Sequence, residues 1–127
     1  MGNLDLHGRD LQGRISDDLG LLTALTFLRL SENELMAMIP PSLGRLTALK
    51  ALALYNNTLN GKVPDDLGLL TALTWLAFDA NALTGTIPSS LFELTALTVL
   101  SLSGNKLTFD AVVSFVNFIT LSNQVLQ

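Results

Sequence analysis

The chain contains no cysteine and a single histidine, His7, among its 127 residues. Without cysteine it has no disulfide framework, no thiolate nucleophile and no thiolate ligand for a metal. One histidine with no acid pair around it assembles neither a hydrolytic triad nor a metal centre. The sequence therefore predicts a non-catalytic protein with no metal and no cofactor.

Charge is also scarce. Lys, Arg, Asp and Glu make up 14% of the residues, and the formal net charge is −4. The basic residues are scattered singly from Arg9 to Lys106, so they form no patch that would attract nucleic acid. We therefore expect no nucleic-acid partner, and a polar surface that depends mainly on Thr, Ser and Asn.

No stretch has the length or the flanks of a targeting or membrane segment. Residues 1–5 include neither a basic region nor an apolar run, so we expect no signal peptide. The most apolar stretch, 111–121, is interrupted by three polar residues and is too short to span a bilayer. The sequence thus predicts no membrane partner and indicates no compartment.

A repeat with a period of 24 residues runs through the chain. The phrase Leu-Thr-Ala-Leu begins at Leu22, Leu46, Leu70 and Leu94. The other apolar columns keep the same period, for example Leu28, Leu52, Leu76 and Leu100. We therefore predict one domain over 1–127, with a partial repeat at about 1–21, repeats at 22–45, 46–69, 70–93 and 94–107, and a C-terminal cap at 108–127.

Each repeat contains a Leu-x-Leu alternation, as in Leu28-Arg29-Leu30, which is typical of a strand with one buried face. Stacked repeats would form a parallel sheet with about 4.8 Å between strands. An asparagine follows the strand in every repeat except the first, where Arg9 replaces it, and its amide can bond to backbone groups of neighbouring turns. This pattern predicts a structural ladder of Asn33, Asn57, Asn81 and Asn105.

These residues resemble the plant-type leucine-rich repeat, Leu-x-x-Leu-x-x-Leu-x-Leu-x-x-Asn-x-Leu-x-Gly-x-Ile-Pro-x-x-Leu-Gly. Residues 70–91 follow that pattern almost position by position, and the resemblance covers about Leu4 to Leu107. It implies an α/β solenoid, a right-handed superhelix of about five coils with a concave parallel β-sheet. It also implies recognition of proteins or peptides. The segment Met36-Ala37-Met38 departs from the pattern, because it replaces the segment that contains glycine in later repeats.

The repeat pattern ends after Leu107, and the following residues predict a C-terminal capping helix. Its apolar positions fall at i, i+3, i+4 and i+7 in Val112, Phe115, Val116 and Ile119. Other apolar residues lie outside that face, which leaves two alternatives open. Either the tail folds back over them, or a second copy covers them, so we also consider a homodimer through this helix or through the exposed N-terminal edge.

The residues between the leucines of each strand point to the predicted concave face. Phe27 and Trp75 occupy the same column and lie two repeats apart, with a small residue between them. Two strand spacings place these residues about 10 Å from each other. Together with Arg29, Tyr55 and Asp79 they have the composition of an interface centre. We predict partner binding at these five residues, with the alternative that Phe27 and Trp75 lean into the core.

Two further roles remain open beside a protein-binding or peptide-binding module. One is a structural or oligomerising fragment of a larger receptor-like protein. The other is an ice-binding protein, because regular hydroxyl arrays on solenoids resemble the faces of some antifreeze proteins. The candidate array on the convex side consists of Thr23, Thr47, Thr71 and Thr95, joined by Thr26, Thr74 and Thr98.

Two aspartate pairs, Asp17-Asp18 and Asp65-Asp66, recur 48 residues apart. Adjacent carboxylates without converging ligands are weak evidence for a calcium site. We expect them to be acids at the start of helical turns, where the helix dipole favours negative charge.

Overall fold

Short strands and 3₁₀ turns alternate along the chain, and the strands form two parallel sheets. The computed structural model describes residues 2–108. The first sheet contains, in order, β1 (Asn3–Asp5), β3 (Phe27–Arg29), β5 (Ala51–Ala53), β7 (Trp75–Ala77) and β9 (Val99–Ser101). The second contains, in order, β2 (Gln12–Arg14), β4 (Glu34–Met38), β6 (Thr58–Lys62), β8 (Ala82–Thr86) and β10 (Lys106–Thr108). The 3₁₀ turns are Asp17–Leu21, Pro41–Arg45, Asp65–Leu69 and Ser89–Glu93.

The two sheets differ in register. In the first sheet, Leu28 pairs with Leu52 and Leu52 pairs with Leu76, so paired residues are one repeat period apart. Equivalent residues of successive repeats therefore lie side by side. In the second sheet, Met38 pairs with Asn60, which is 22 residues away. Equivalent residues of the second sheet are consequently staggered by two positions.

The leucine columns form one apolar core that extends along the stack. Leu28, Leu52 and Leu76 are fully buried, and Phe78 is fully buried in a column otherwise filled by leucine. A single strand of this length cannot bury its own apolar face, so each repeat depends on the repeats before and after it. The predicted solenoid of stacked parallel strands is confirmed.

The ladder asparagines connect neighbouring repeats through their amides. The Oδ1 of Asn57 accepts from the N–H of Leu35 at 3.0 Å. Its Nδ2 donates to the carbonyls of Leu30 and Leu54, both at 3.1 Å, and to that of Tyr55 at 3.3 Å. The same pattern recurs at Asn33, Asn81 and Asn105. These bonds satisfy backbone groups that the bends leave without strand partners.

The second sheet requires a left-handed backbone residue in successive repeats. Gly61 has φ 75° and Gly85 has φ 81°, whereas Ala37 occupies the equivalent position at φ 67°. A residue with a Cβ is strained in this region. The substitution of Met36-Ala37-Met38 for a glycine-containing segment therefore keeps the strand conformation, but at a cost in backbone strain.

The two aspartate pairs lie at the start of 3₁₀ turns, as their position in the repeat predicts. Asp17-Asp18 and Asp65-Asp66 occupy the first turns of two 3₁₀ segments, and the Ser16 hydroxyl accepts from the Asp18 N–H at 3.1 Å. Among residues 2–108, no cluster of His, Cys, Asp and Glu is placed to hold a metal ion. Over the same range, no helix has the length and apolar character needed to cross a membrane.

The predicted C-terminal cap lies outside the described residues, apart from its first position. That position, Thr108, lies in strand β10 and pairs with Thr86. The boundary between the last repeat and the cap stays a prediction.

Candidate functional site

All five candidate residues lie on the outward face of the first sheet or directly beyond its strands. The leucines of each strand point inward, so the residues on either side of them point outward. Phe27 and Trp75 each pair in register with Ala51, which places the two rings on either side of a small residue. Phe27 is 42% exposed and Trp75 is partly exposed, so neither ring is in the core.

The Trp75 ring forms a pair with Tyr55, which lies in a different column of the repeat. Their ring centroids are 6.4 Å apart and the planes meet at 83°, an edge-to-face arrangement. The two side chains reach each other from adjacent repeats and from opposite ends of their strands. Ala53 and Ala77 lie between these ends on the outward face, yet they are 0% and 2% exposed.

Arg29 lies at one side of this aromatic surface. Its Nη1 is 3.4 Å from Oδ2 of Asp5, and the two side chains are 40% and 42% exposed. A pair this exposed contributes about 1 kcal/mol or less. The Nε of Arg29 is buried and has no hydrogen-bond partner among the described residues. The guanidinium is therefore incompletely satisfied within this part of the chain.

Asp79 lies beyond the other side of the aromatic pair, where β7 has ended. It is partly exposed, and its carboxylate takes part in no ion pair within residues 2–108. From strand spacing, Arg29 and Asp79 are roughly 12 Å apart. The face thus carries a cation, an aromatic surface and an anion in sequence.

His7 joins Ser31 and Glu32 near the edge of the same face. Its Nδ1 is 3.2 Å from the Ser31 Oγ, and its Nε2 is 3.7 Å from Glu32 Oε1. These are the residue types of a hydrolytic triad, but Ser31 is fully buried and cannot reach a substrate. The distance to Glu32 is also too long for a hydrogen bond. The cluster connects two repeats and does not form a nucleophilic site.

The convex threonines fall into two groups. The hydroxyls of Thr26, Thr74 and Thr98 each donate to a carbonyl of the preceding repeat, at 2.9, 3.0 and 2.9 Å respectively. This column therefore takes part in bonding between repeats. The other column is exposed in all four repeats and consists of Thr23, Thr47, Thr71 and Thr95.

Comparison with known proteins agrees with the repeat architecture. The family model described as Leucine Rich Repeat matches residues 24–46 and 96–118. A chain of the BIR3–SERK2 complex from Arabidopsis thaliana is 37% identical with a TM-score of 0.80, over 84% of this chain and 57% of that one. The ectodomain of the Arabidopsis thaliana receptor kinase GASSHO1/SCHENGEN3, in complex with CASPARIAN STRIP INTEGRITY FACTOR 2, is 40% identical with a TM-score of 0.82. That match covers 91% of this chain and 14% of the ectodomain chain. This chain belongs to the plant-type leucine-rich-repeat family.

A plant ice-binding protein is also similar to this leucine-rich-repeat chain. It is 36% identical with a TM-score of 0.75, over 82% of this chain and 33% of that one. No curated protein sequence matches the chain. The chain spans 57% and 14% of the lengths of the first two relatives, so it corresponds to only part of each.

Within this family member, side-chain identity is constant where packing requires it and varies on the outward face. The inward position at the centre of each first-sheet strand is leucine in every repeat. The outward position that follows it changes in almost every repeat, through Asp5, Arg29, Ala53, Ala77 and Ser101. The outward face can therefore determine specificity without changing the core.

Proposed function

We propose that this chain is a non-catalytic binding module that holds a protein or peptide segment on the outward face of its first sheet. The observation that carries the proposal is the aromatic surface formed by the exposed Phe27 and the partly exposed Tyr55 and Trp75, with Arg29 and Asp79 on either side of it. Tryptophan, tyrosine and arginine are the residues that dominate interface energies. Two similar structures were themselves solved as complexes, BIR3 with SERK2 and GASSHO1/SCHENGEN3 with CASPARIAN STRIP INTEGRITY FACTOR 2.

The arrangement of charges indicates the kind of segment that fits. An extended chain advances about 3.3 Å per residue, so the roughly 12 Å between Arg29 and Asp79 corresponds to about four residues. We infer an acidic side chain near Arg29, an apolar side chain on Tyr55 and Trp75, and a basic side chain near Asp79. A small metabolite would find little enclosure on a surface this open.

The decisive variant is Trp75→Ala. A random peptide display library selected on the immobilised chain provides the probe, and the selected peptides are then titrated against each variant. We expect Trp75→Ala to weaken binding by about 2 kcal/mol or more, which is about thirtyfold in Kd. The fold should lose only about 1 kcal/mol, from the pair with Tyr55.

Thr71→Ala is the matched control, because Thr71 is exposed on the convex side of the same repeat. We expect it to bind the selected peptides as the wild type does. Normal binding by Trp75→Ala together with lost binding by Thr71→Ala would contradict the proposal and assign the activity to the convex side.

A second candidate function is ice binding by the convex threonine column. Its support is the likeness to a plant ice-binding protein and the exposure of threonine at one position in four successive repeats. A measurement of thermal hysteresis on the purified chain tests it. If the column binds ice, Thr71→Tyr should abolish the hysteresis, because a bulky ring interrupts the regular array. Absence of hysteresis in the wild type rejects this function.

The role of a structural or oligomerising segment in a larger receptor-like protein also stays a proposal. Its support is the short span of the chain relative to the receptor ectodomain that it resembles. Pairing through the N-terminal strand edge or the predicted C-terminal helix would belong to that role. Sedimentation of the chain with and without residues 114–127 tests the helix.

A further inference from the structure

The turn between β5 and β6 contains an Asn-x-Thr motif that the proposed function does not use. Asn56, Asn57 and Thr58 match the acceptor pattern for N-linked glycosylation, in which the middle residue is not proline. No other asparagine in the sequence has a serine or threonine two residues later. The first asparagine of the motif is the acceptor, so the sugar would be attached to Asn56 and not to the buried ladder residue Asn57.

The side chain of Asn56 is free to carry a substituent. Asn56 is exposed, and its amide forms no hydrogen bond within residues 2–108. The turn is held instead by its backbone, because the Asn56 N–H donates to the carbonyl of Asp79 at 3.0 Å. A glycan on Asn56 would therefore remove no hydrogen bond from the fold. The same group on Asn57 would disrupt the bonds from its Nδ2 to Leu30 and Leu54.

Asn56 belongs to a row of left-handed residues that borders the outward face of the first sheet. Residues 8, 32, 56, 80 and 104 are spaced by one repeat period, and each is exposed with a positive φ, which is 55° at Asn56. The next two members of the row are Ala80 and Gly104, which have a small side chain and none. The row thus leaves space for a bulky group on this side of Asn56.

The fold does not require this pair of residues. Asparagine tolerates positive φ better than most residues, which is a structural reason for Asn56 but not for Thr58. The Thr58 hydroxyl donates to the Leu35 carbonyl at 2.9 Å, but no other repeat has a hydroxyl at this position. The equivalent residues are Asp10, Glu34, Ala82 and Lys106. Packing of the repeats therefore does not explain why an asparagine and a threonine occur together here.

We propose that Asn56 is the acceptor of an N-linked glycan. The substrate is an oligosaccharide joined to a lipid diphosphate, and a membrane-bound transferase catalyses the reaction. The Nδ2 of Asn56 forms a bond to the anomeric carbon of the sugar while the bond from that carbon to the diphosphate oxygen breaks. The lipid diphosphate leaves, and the amide nitrogen gives up one proton to a base of the transferase. The step needs no oxidant or reductant.

The contact of Thr58 indicates when transfer takes place. The transferase recognises the threonine hydroxyl, which is bonded to the Leu35 carbonyl in the folded chain. Transfer therefore precedes the stacking of these repeats, while the chain enters the lumen of the secretory pathway. Residues 1–5 predict no signal peptide of their own, so a test of the acceptor has to supply one.

A glycan on Asn56 would border the proposed binding surface without replacing any of its side chains. Asn56 directly follows Tyr55, and its bond to the Asp79 carbonyl places it at the Asp79 end of that surface. A bulky, polar group there would limit how far a bound segment extends beyond Asp79. The inference goes beyond the proposed function, and because glycan attachment is measured without a binding partner, the two can fail separately.

Secretion of the chain behind a cleavable signal peptide, in cultured eukaryotic cells, tests the proposal. We expect the wild type to carry one glycan, seen as a shift in gel mobility that peptide-N-glycosidase removes. This enzyme converts the linked asparagine to aspartate. Mass spectrometry of the tryptic peptide 51–62 then identifies which of its asparagines, Asn56, Asn57 or Asn60, carried the sugar.

Substitutions within the motif separate the acceptor from its surroundings. Asn56→Gln and Thr58→Ala should each lose the mobility shift, whereas Thr58→Ser should keep it, because serine retains the hydroxyl. Asn60→Gln is the matched control. Asn60 is also exposed and lies in the same tryptic peptide, but the residue two positions later is Lys62. This variant should be glycosylated as the wild type is.

Moving the motif by one repeat checks that a chain without the shift still enters the pathway. In the Asn56→Gln background, Ala80→Asn with Ala82→Thr recreates the motif at equivalent exposed positions and should restore one glycan. A wild type that loses its signal peptide but carries no glycan would overturn the proposal. A mobility shift that persists in Asn56→Gln or in Thr58→Ala would overturn it as well.

Discussion

Replacement of Asn57 by alanine should be among the most damaging single changes to this fold. The side chain is only 8% exposed and bonds both to the preceding repeat and to its own repeat. Its loss leaves the Leu35 N–H, on a residue 5% exposed, without the Oδ1 that it bonds to at 3.0 Å. A buried donor left unpaired costs about 1–3 kcal/mol. The carbonyls of Leu30 and Leu54 each lose a donor as well.

We therefore expect Asn57→Ala to lower the free energy of unfolding by about 2–3 kcal/mol, out of a total of about 5–15 kcal/mol for a domain. Urea denaturation followed by far-UV circular dichroism measures this loss as a lower midpoint. The slope of the transition should stay close to that of the wild type, because the surface exposed on unfolding hardly changes.

Asn105 provides the matched control within the same ladder. It makes the equivalent bonds to Leu83, Phe78 and Leu102 at 3.0, 3.0 and 3.1 Å. It is only partly buried, so water can replace some of the lost bonds. We expect Asn105→Ala to cost about 1 kcal/mol. Equal losses at Asn57 and Asn105, or no loss at Asn57, would refute the reasoning from burial.

Two further variants test the backbone. Ala37→Gly should stabilise the fold by about 1 kcal/mol in a thermal or urea melt, because it removes the strain of φ 67°; a less stable variant would contradict this. Gly44→Ala should destabilise it by about 2 kcal/mol, since the new Cβ would meet the Asp66 carbonyl oxygen at 2.5 Å. Unchanged stability would show that the turns can separate.

The core and the placement of the candidate site followed from the sequence because both depend on position within one repeat. The leucine columns are buried as their period predicts, and Phe27, Arg29 and Trp75 lie in strands of the first sheet. In that sheet the register equals the repeat period. Residues at equivalent positions of successive repeats therefore lie side by side on neighbouring strands.

Contacts between different columns could not be derived in the same way. The pair of Tyr55 with Trp75 depends on where side chains turn between repeats. Left-handed backbone at Glu32 and Ala80 is not indicated by those two residue types, but their column also contains Gly8, Asn56 and Gly104, which favour positive φ. For the pair of Tyr55 with Trp75, the signal in the sequence is the two alanines Ala53 and Ala77, because small residues leave room for a large ring above them.

The two-residue stagger of the second sheet predicts side-chain contacts that differ from those expected if residues one repeat period apart were paired. Met38 pairs with Asn60 rather than with its sequence equivalent Lys62, and its Cγ would lie 2.9 Å from a Cβ added to Gly61. Gly61→Ala should therefore cost about 2 kcal/mol, of which about half comes from φ 75° and the rest from Met38. In a Met38→Ala background the contact is absent, so the cost should fall by about 0.5–1 kcal/mol, measured as a coupling energy in a double-mutant cycle. Lys62→Ala is the control, because Lys62 lies against Gly85, 3.1 Å from a Cβ placed there. Additive effects of Gly61→Ala and Met38→Ala, or equal coupling with Lys62→Ala, would show that the second sheet does not have this register in solution.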